Sequence, residues 1–188
     1  MRLSLSPFQR QLFEWLQERD PPRSSDTSEV ASAAVAVIIV PNPDAVLIIR
    51  RAERVGDPWS GHMGLPGGRR QSSDADALAT AIRETHEEVG VRLIREWCLG
   101  ALDLISPRSA SAPRTAVQPF VFALADRTAL SPNHEVSLAL WLPILELPEP
   151  GPYRPVAPRR SGAGRICRRG VWRGRRGGCG GGDATMGG

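Results

Sequence analysis

The stretch LPGGRRQSSDADALATAIRETHEEVG, residues 65–90, is the most informative part of the chain for its fold. It opens on a glycine pair, continues as a polar loop, and ends with Glu84, Glu87 and Glu88 close together. Its apolar residues recur at helical spacing, which predicts a helix from about residue 75 to 89. We expect Asp74 to be the N-cap of this helix and Gly90 to end it. Like charges one turn apart destabilise an isolated helix, so the glutamates need a compensating partner.

A helical wheel places the three glutamates within one arc of about 100°. The opposite side should face a core and carries Leu78, Ala79, Ile82 and Val89. The stripe of the glutamates continues in small residues, which we expect to leave open space beside the carboxylates: Ala77, Thr80 and Ala81. Carboxylates beside free space suit Mg²⁺, which takes oxygen ligands from protein, water and substrate phosphate. A solvated acidic helix face is the alternative that the spacing alone leaves open.

Residues upstream and within the helix favour a binding site. Leu-Pro-Gly-Gly at 65–68 precedes the helix, and its glycines allow the backbone to come close to a ligand. Arg83 can pair with Glu87 at i+4 and so help to orient a ligand carboxylate.

The segment from Gly68 to Val91 resembles the Nudix box, GX5EX7REUXEEXGU, where U is a bulky apolar residue. Thr85 stands at the first apolar position and Asp74 stands in place of glutamate, with one extra residue before Arg83. That expansion resembles the coenzyme A diphosphatase branch, as do LIIRR at 47–51 and GHMGLPGG at 61–68. The branch has arginine where this chain has Asp57. The stretch from Glu135 to Leu147 is similar to one common late in Nudix domains. The resemblance covers about residues 30–147.

This resemblance implies hydrolysis of a nucleoside diphosphate linked to another moiety, with Mg²⁺ or Mn²⁺ as cofactor. The catalytic residues and metal ligands would be Glu84, Glu87 and Glu88, and the substrate-binding residues would be Arg50, Gly67, Gly68 and Arg69. The branch implies coenzyme A or acyl-coenzyme A as substrate, cleaved to 3′,5′-ADP and 4′-phosphopantetheine. The alternatives are a diphosphatase for another nucleotide such as ADP-ribose, and a non-catalytic nucleotide-binding module.

Several roles stay open at this point. The general base would be one of the three glutamates or Glu135, for which a surface loop acid is the alternative. A solvated basic rim is the alternative to phosphate binding for a set of arginines: Arg50, Arg51, Arg54, Arg69 and Arg70. Trp59 could stack on an adenine, although packing beneath its loop is the simpler expectation. We expect Cys98 to lie in the core, and His62 and His134 to be loop residues.

The remaining pattern of strands and helices predicts an α/β (α+β) fold, and the resemblance implies a Nudix-like α/β/α sandwich with a mixed central sheet. A first helix is expected at residues 7–19, with Phe8, Trp15 and Leu16 docking it on the body; a dimer contact is the alternative for these three side chains. Strands are expected at 33–40 and 45–50, joined as a hairpin, and near 97–105, 117–125 and 137–142, with residues 51–64 as a loop. The expected domains are an N-terminal helix and linker (1–28), a catalytic domain (29–150) and a tail (151–188).

The distribution of charge separates the tail from the body. The net charge of +4 hides nine arginines and one acid in residues 151–188, against 15 basic and 19 acidic groups before them. The tail should be disordered; it is either the product of a shifted reading frame or an arm that contacts RNA, and the body gives no sign of binding nucleic acid.

Three widely spaced cysteines and the lack of a long apolar run predict a cytoplasmic protein without membrane partners. It would be a monomer or a homodimer that binds a small nucleotide.

Overall fold

The computed structural model describes residues 4–19, 31–56, 59–105 and 115–147. These residues form two helices, seven strands and two 3-10 turns: α1 (Pro7–Glu18), β1 (Ala33–Val40), β2 (Ala45–Arg51), β3 (Met63–Gly64), β4 (Gly67–Arg69), α2 (Ala77–Val89), a turn at Arg95–Trp97, β5 (Cys98–Ala101), β6 (Val117–Ala123), β7 (Val136–Pro143) and a turn at Ile144–Glu146. The predicted linker at 20–28 and tail at 151–188 lie outside the described residues, so the predicted domain boundaries stay predictions.

All seven strands belong to one mixed sheet. Along its length β1 lies parallel to β6, with Ala33 opposite Val117 and Ile39 opposite Ala123. On its other edge β1 pairs with β2 only at the hairpin, and with β4 at its opposite end. Meanwhile β2 pairs with β7 along its length and with β3 at Ile49 and Arg50. The hairpin strands therefore diverge, and the segment that carries the glycine pair fills the gap between them.

The alternation of side chains along β1 divides the core into two layers. One layer packs against α2 and includes Ala34, Ala36, Ile38, Val40, Ala81 and Val89. The other packs against α1 and includes Phe8, Leu12, Leu16, Val37 and Ile39. Because the two helices cover opposite faces of the sheet, the structure confirms the predicted α/β/α sandwich.

A buried glutamine attaches α1 to the sheet. Gln9 is fully buried, and its Nε2 donates to the carbonyls of Ile39 (3.0 Å) and Leu124 (2.9 Å). Trp15 does not dock the helix as predicted. It is 48% exposed, and the Arg19 guanidinium lies 4.5 Å from the centre of its ring.

Two local predictions are wrong. The N-cap of α2 is Asp76, whose side chain accepts from the Ala79 N–H at 2.8 Å, because the helix begins two residues later than expected. The region predicted as a loop contains β3, and Gly67 and Gly68 belong to β4. The sequence did not reveal β3 or β4, because strands of two or three residues are too short to show an alternation of apolar and polar side chains. Backbone pairing holds β3 to β2 and β4 to β1. Gly90 ends α2 in the left-handed conformation, as predicted.

Within the described ranges, neither helix has the length and apolar character needed to cross a bilayer.

Candidate active site

The carboxylate of Glu88 lies at the contact between α2 and β4. Glu88 is only 3% exposed, and its Oε2 accepts a hydrogen bond from the Gly67 N–H at 2.9 Å. The expected open space along the same stripe is absent, since Thr80 and Ala81 are fully buried. These small residues instead bring the helix close to the sheet, and that close packing places Glu88 against the backbone of β4.

The neighbouring glycine meets a second glutamate. A Cβ added to Gly68 would lie 2.5 Å from the Glu84 carboxyl group. A Cβ added to Gly67 would lie 2.3 Å from the Ala34 carbonyl oxygen. Both glycines are therefore required for the close approach of β4 to its surroundings, one to β1 and one to a side chain of the site.

Arg83 connects the glutamates to the loop that precedes the helix. Its Nη1 donates to Glu84 Oε1 at 2.9 Å and to Glu87 Oε2 at 2.8 Å, which confirms the predicted i+4 pair. Its Nε and Nη2 hold both carboxylate oxygens of Asp74, at 2.9 and 3.0 Å. Nη2 also donates to the Arg69 carbonyl at 3.1 Å. Planar two-point contacts of this kind fix the orientation of both partners.

Asp74 is itself held in place from the other side. Its Oδ2 accepts from the Thr80 hydroxyl at 2.9 Å and from the Gln71 N–H at 2.8 Å. The hydrogen bonds from Arg83, more than any other contact, hold the pKa of the Asp74 carboxyl well below its usual range, although burial opposes this. Asp74 is therefore an anion that anchors Arg83, and not a helix cap.

Electrostatics distinguishes Glu88 from an ordinary surface acid. Burial raises the pKa of Glu88 to about 7, with only partial compensation from the Gly67 N–H. The nearby charges of Glu84 and Glu135 raise it further, while Arg51 lowers it. Burial also raises the pKa of Glu84, against the hydrogen bond from Arg83. For both carboxylates, the hydrogen bonds of the protein therefore do not fully offset the cost of burying the negative charge.

A loop before β7 brings Glu135 to the same end of α2. The N–H of Asn133 donates to the Glu88 carbonyl at 2.9 Å, and Asn133 Oδ1 accepts from the Glu135 N–H at 2.8 Å. The Glu135 carbonyl accepts from the Ala52 N–H at 2.7 Å. The Glu135 side chain pairs with Arg54 at 3.1 Å and is 40% exposed. The structure thus brings together α2, this loop and the end of β2.

The other predicted residues are dispersed. Arg50 is exposed, and its Nε donates to the Gly61 carbonyl at 3.2 Å and its Nη2 to Glu53 at 3.4 Å. Arg69 is exposed and contributes its carbonyl to Arg83. Glu87 has a side chain that is 49% exposed, unlike Glu84 at 14%. Trp59 is half exposed and meets the His62 ring edge-on, with ring centres 5.8 Å apart.

The chemistry of these residues fits a hard divalent cation. Among the described residues, no three histidine, cysteine, aspartate or glutamate side chains are gathered closely enough to hold one ion. Glu84 and Glu87 point to Arg83, and Glu135 points to Arg54. Glu88 nevertheless remains a buried, under-compensated carboxylate, and oxygen donors of this kind are what Mg²⁺ and Mn²⁺ prefer.

Sequence reasoning named Glu135 as a candidate general base, but it did not anticipate the anchoring role of Asp74 or the backbone contacts that bring the Glu135 loop to α2. For Asp74 a signal existed, because it stands at the acidic position of the box, although one extra residue separates it from Arg83. For the loop, the resemblance pointed to Glu135, whereas the contact of the Asn133 N–H with the Glu88 carbonyl is made by the backbone and leaves no signal in the sequence.

Comparison with known proteins gives these observations a context. A family model described as NUDIX domain matches residues 31–160. The protein C14C4.10c of Schizosaccharomyces pombe is 42% identical over 107 residues, which are 54% of this chain and 32% of that protein. The mitochondrial coenzyme A diphosphatase NUDT8 of Homo sapiens is 33% identical over 123 residues, covering 62% and 50%. The chain thus spans about a third to a half of the length of these relatives.

A solved structure of similar fold is the bifunctional NMN adenylyltransferase/ADP ribose pyrophosphatase of Francisella tularensis, complexed with AMP and Mn ion. The TM-score is 0.50 at 18% identity, with 72% of this chain and 37% of that chain covered. This likeness concerns the fold alone.

Proposed function

This chain belongs to the NUDIX domain family, and from that premise we propose that it hydrolyses the diphosphate of coenzyme A or acyl-coenzyme A with Mg²⁺ or Mn²⁺. The supporting observation is the buried Glu88 carboxylate, hydrogen-bonded to the Gly67 N–H and adjacent to Glu84. A buried carboxylate whose charge is only partly compensated lacks a cationic partner, and a divalent cation would supply one. The choice of coenzyme A rests on the relatives named as coenzyme A diphosphatases and on the resemblance of residues 61–68.

When bound, the cation would neutralise diphosphate oxygens and acidify the attacking water. Glu84 and Glu88 would hold it, with Glu87 reaching it from the more exposed side of the helix. Arg83 would fix the orientation of Glu84 and Glu87 while Asp74 holds Arg83 in turn. The general base would be Glu135 or one of the helix glutamates, because all of them lie at the same end of α2.

The backbone and the arginines would position the substrate. Gly67 and Gly68, whose lack of a side chain lets β4 lie against Glu88 and Glu84, would border the bound diphosphate. Guanidinium groups bind phosphate through paired N–H donors, and Arg50 and Arg69 would do so at the exposed rim. Water attack would break the phosphorus–oxygen bond of the diphosphate bridge and leave 3′,5′-ADP and 4′-phosphopantetheine.

A substrate panel tests this proposal directly. The protein would be incubated with Mn²⁺ or Mg²⁺ and with coenzyme A, acyl-coenzyme A, ADP-ribose or a dinucleoside polyphosphate, and the products separated by chromatography. We expect coenzyme A or its acyl form to give the highest kcat/KM. Preference for ADP-ribose would overturn the assigned substrate while retaining the chemistry, and no turnover of any member would indicate a nucleotide-binding module.

Glu88→Gln is the matching variant, because it keeps the shape of the side chain and removes its charge. We expect turnover to fall by at least about 100-fold, the range for groups that act directly in catalysis. Glu14→Gln, an exposed change on α1, serves as the control.

A further inference from the structure

Arg54 stands out because it forms an ion pair with Glu135, an acid outside α2 whose charge acts on the pKa of Glu88. Its Nη2 lies 3.1 Å from Glu135 Oε1, and its own N–H donates to the Ser60 hydroxyl at 2.8 Å. The backbone of the same segment is fixed to Glu135 through the Ala52 N–H at 2.7 Å. Arg54 is therefore placed by a defined loop and is not a freely moving surface arginine.

The geometry places Glu135 within reach of the helix glutamates. Asn133 bonds the Glu88 carbonyl, and Val136 is paired with Arg51 across β2 and β7. Glu135 lies between these two contacts. The charge of Glu135 contributes to raising the pKa of both Glu84 and Glu88, which agrees with this placement. The Glu135 carboxylate is instead paired with Arg54.

We propose that Arg54 is a positioning residue that holds Glu135 apart from Glu84 and Glu88, and that Glu135 exchanges this arginine for a divalent cation when one binds. The inference rests on the proposed function and adds to it a residue that controls cation affinity. Both side chains of the pair are 40–45% exposed, so the ion pair is weak enough to be exchanged. Removing Arg54 should consequently strengthen cation binding, whereas removing Glu135 should weaken it.

The test is a Mn²⁺ titration of the full chain, with free Mn²⁺ measured by electron paramagnetic resonance in the absence of substrate. We expect Arg54→Gln to bind Mn²⁺ about two- to fivefold more tightly, which is the range that exposed ion pairs reach. Arg54→Lys, which keeps the charge and can still pair, should stay close to the unchanged protein. Arg19→Gln breaks a comparable exposed pair with Asp103 on another surface and should have no effect.

A double-mutant cycle separates the ion pair from a general loss of positive charge. In a Glu135→Gln background, the effect of Arg54→Gln should disappear. The inference is overturned if Arg54→Gln leaves Mn²⁺ affinity unchanged, or if its effect is the same with and without Glu135. If Glu84→Gln and Glu88→Gln also leave Mn²⁺ binding intact, the proposed function fails instead. Thermal unfolding curves of each variant establish that the folded protein is being titrated.

Discussion

Glu88 is a residue whose burial opposes stability, which its proposed role in cation binding would explain. The side chain is buried beside β4, where its ionised form is only partly compensated. The folded protein therefore holds the Glu88 proton more tightly than the unfolded chain does, and the two states respond differently to pH.

The first prediction concerns this pH dependence in protein freed of metal by a chelator. Between pH 4.5, the ordinary pKa, and about pH 7, the folded state binds more protons, so stability should fall as the pH rises. The loss from Glu88 amounts to at most about 3 kcal/mol. Denaturant titrations at pH 5 and pH 8 measure it, and Glu88→Gln should reduce the difference. A wild-type protein that is more stable at pH 8 would contradict the prediction.

The second prediction separates the two adjacent glycines. Gly67→Ala would place its Cβ against the Ala34 backbone, which cannot move easily, so we expect a loss of about 3 kcal/mol or more. Gly68→Ala would meet the Glu84 carboxyl group, which can rotate away. It should cost less stability and still lower kcat, because Glu84 leaves its position.

Gly64→Ala is the control for both changes, since nothing lies within 4 Å of its added Cβ. It should affect neither stability nor activity by a large amount. Equal losses of stability for Gly67→Ala and Gly68→Ala, measured by denaturant unfolding, would argue against the distinction.

At the scale of elements, α2 depends on two aspartates near its N-terminus that have different tasks. Asp76 caps the helix and pairs with Arg95, while Asp74 anchors Arg83 and through it Glu84 and Glu87. They are two positions apart, so the sequence alone does not assign the tasks.

The third prediction follows from this division. Asp74→Asn should lower kcat by about 10-fold or more, as expected when a residue that orients a ligand is lost. Asp76→Ala should cost about 1 kcal/mol of stability, the usual value for an N-cap, and leave kcat nearly unchanged. Steady-state kinetics and thermal unfolding of both variants provide the comparison. If Asp76→Ala proves the more damaging to kcat, the assignment is reversed.

At the scale of the whole molecule, α1 and α2 stabilise the sheet from opposite faces, and Gln9 makes the polar connection on the α1 side. The Gln9 amide donates to the carbonyls of both Ile39 and Leu124, which belong to the region where β1 and β6 end. Without it, the buried Leu124 carbonyl would lose this donor, whereas the Ile39 carbonyl would still accept from the Leu124 N–H at 3.0 Å.

The fourth prediction is that Gln9→Leu destabilises the protein by about 1–3 kcal/mol, the cost of unsatisfied buried polar groups. Gln11→Leu, exposed on the same helix, is the control and should change stability by less than about 0.5 kcal/mol. Chemical denaturation of the two variants gives the difference. A similar effect from both would mean that α1 is not attached through Gln9.

Much of this organisation was already determined by the sequence. The apolar run of β1, the turn of the hairpin and the helical period of α2 are local patterns, and each element formed within about two residues of its predicted bounds. The i+4 relation of Arg83 and Glu87 is fixed by helix geometry, so it too followed from the sequence.

Only the tertiary structure decided which glutamate is buried. The helical period places Glu84, Glu87 and Glu88 on the same face, but it contains no information on how closely β4 approaches that face. The tertiary structure likewise decided that Thr80 and Ala81 fill the contact with the sheet rather than border a cleft. The pairing of β4 with β1 rests on backbone hydrogen bonds, the ion pair of Arg54 with Glu135 joins residues far apart in sequence, and the anchor at Asp74 crosses from a loop to α2. Such contacts leave no periodic trace in a sequence, since backbone groups are the same for almost every residue.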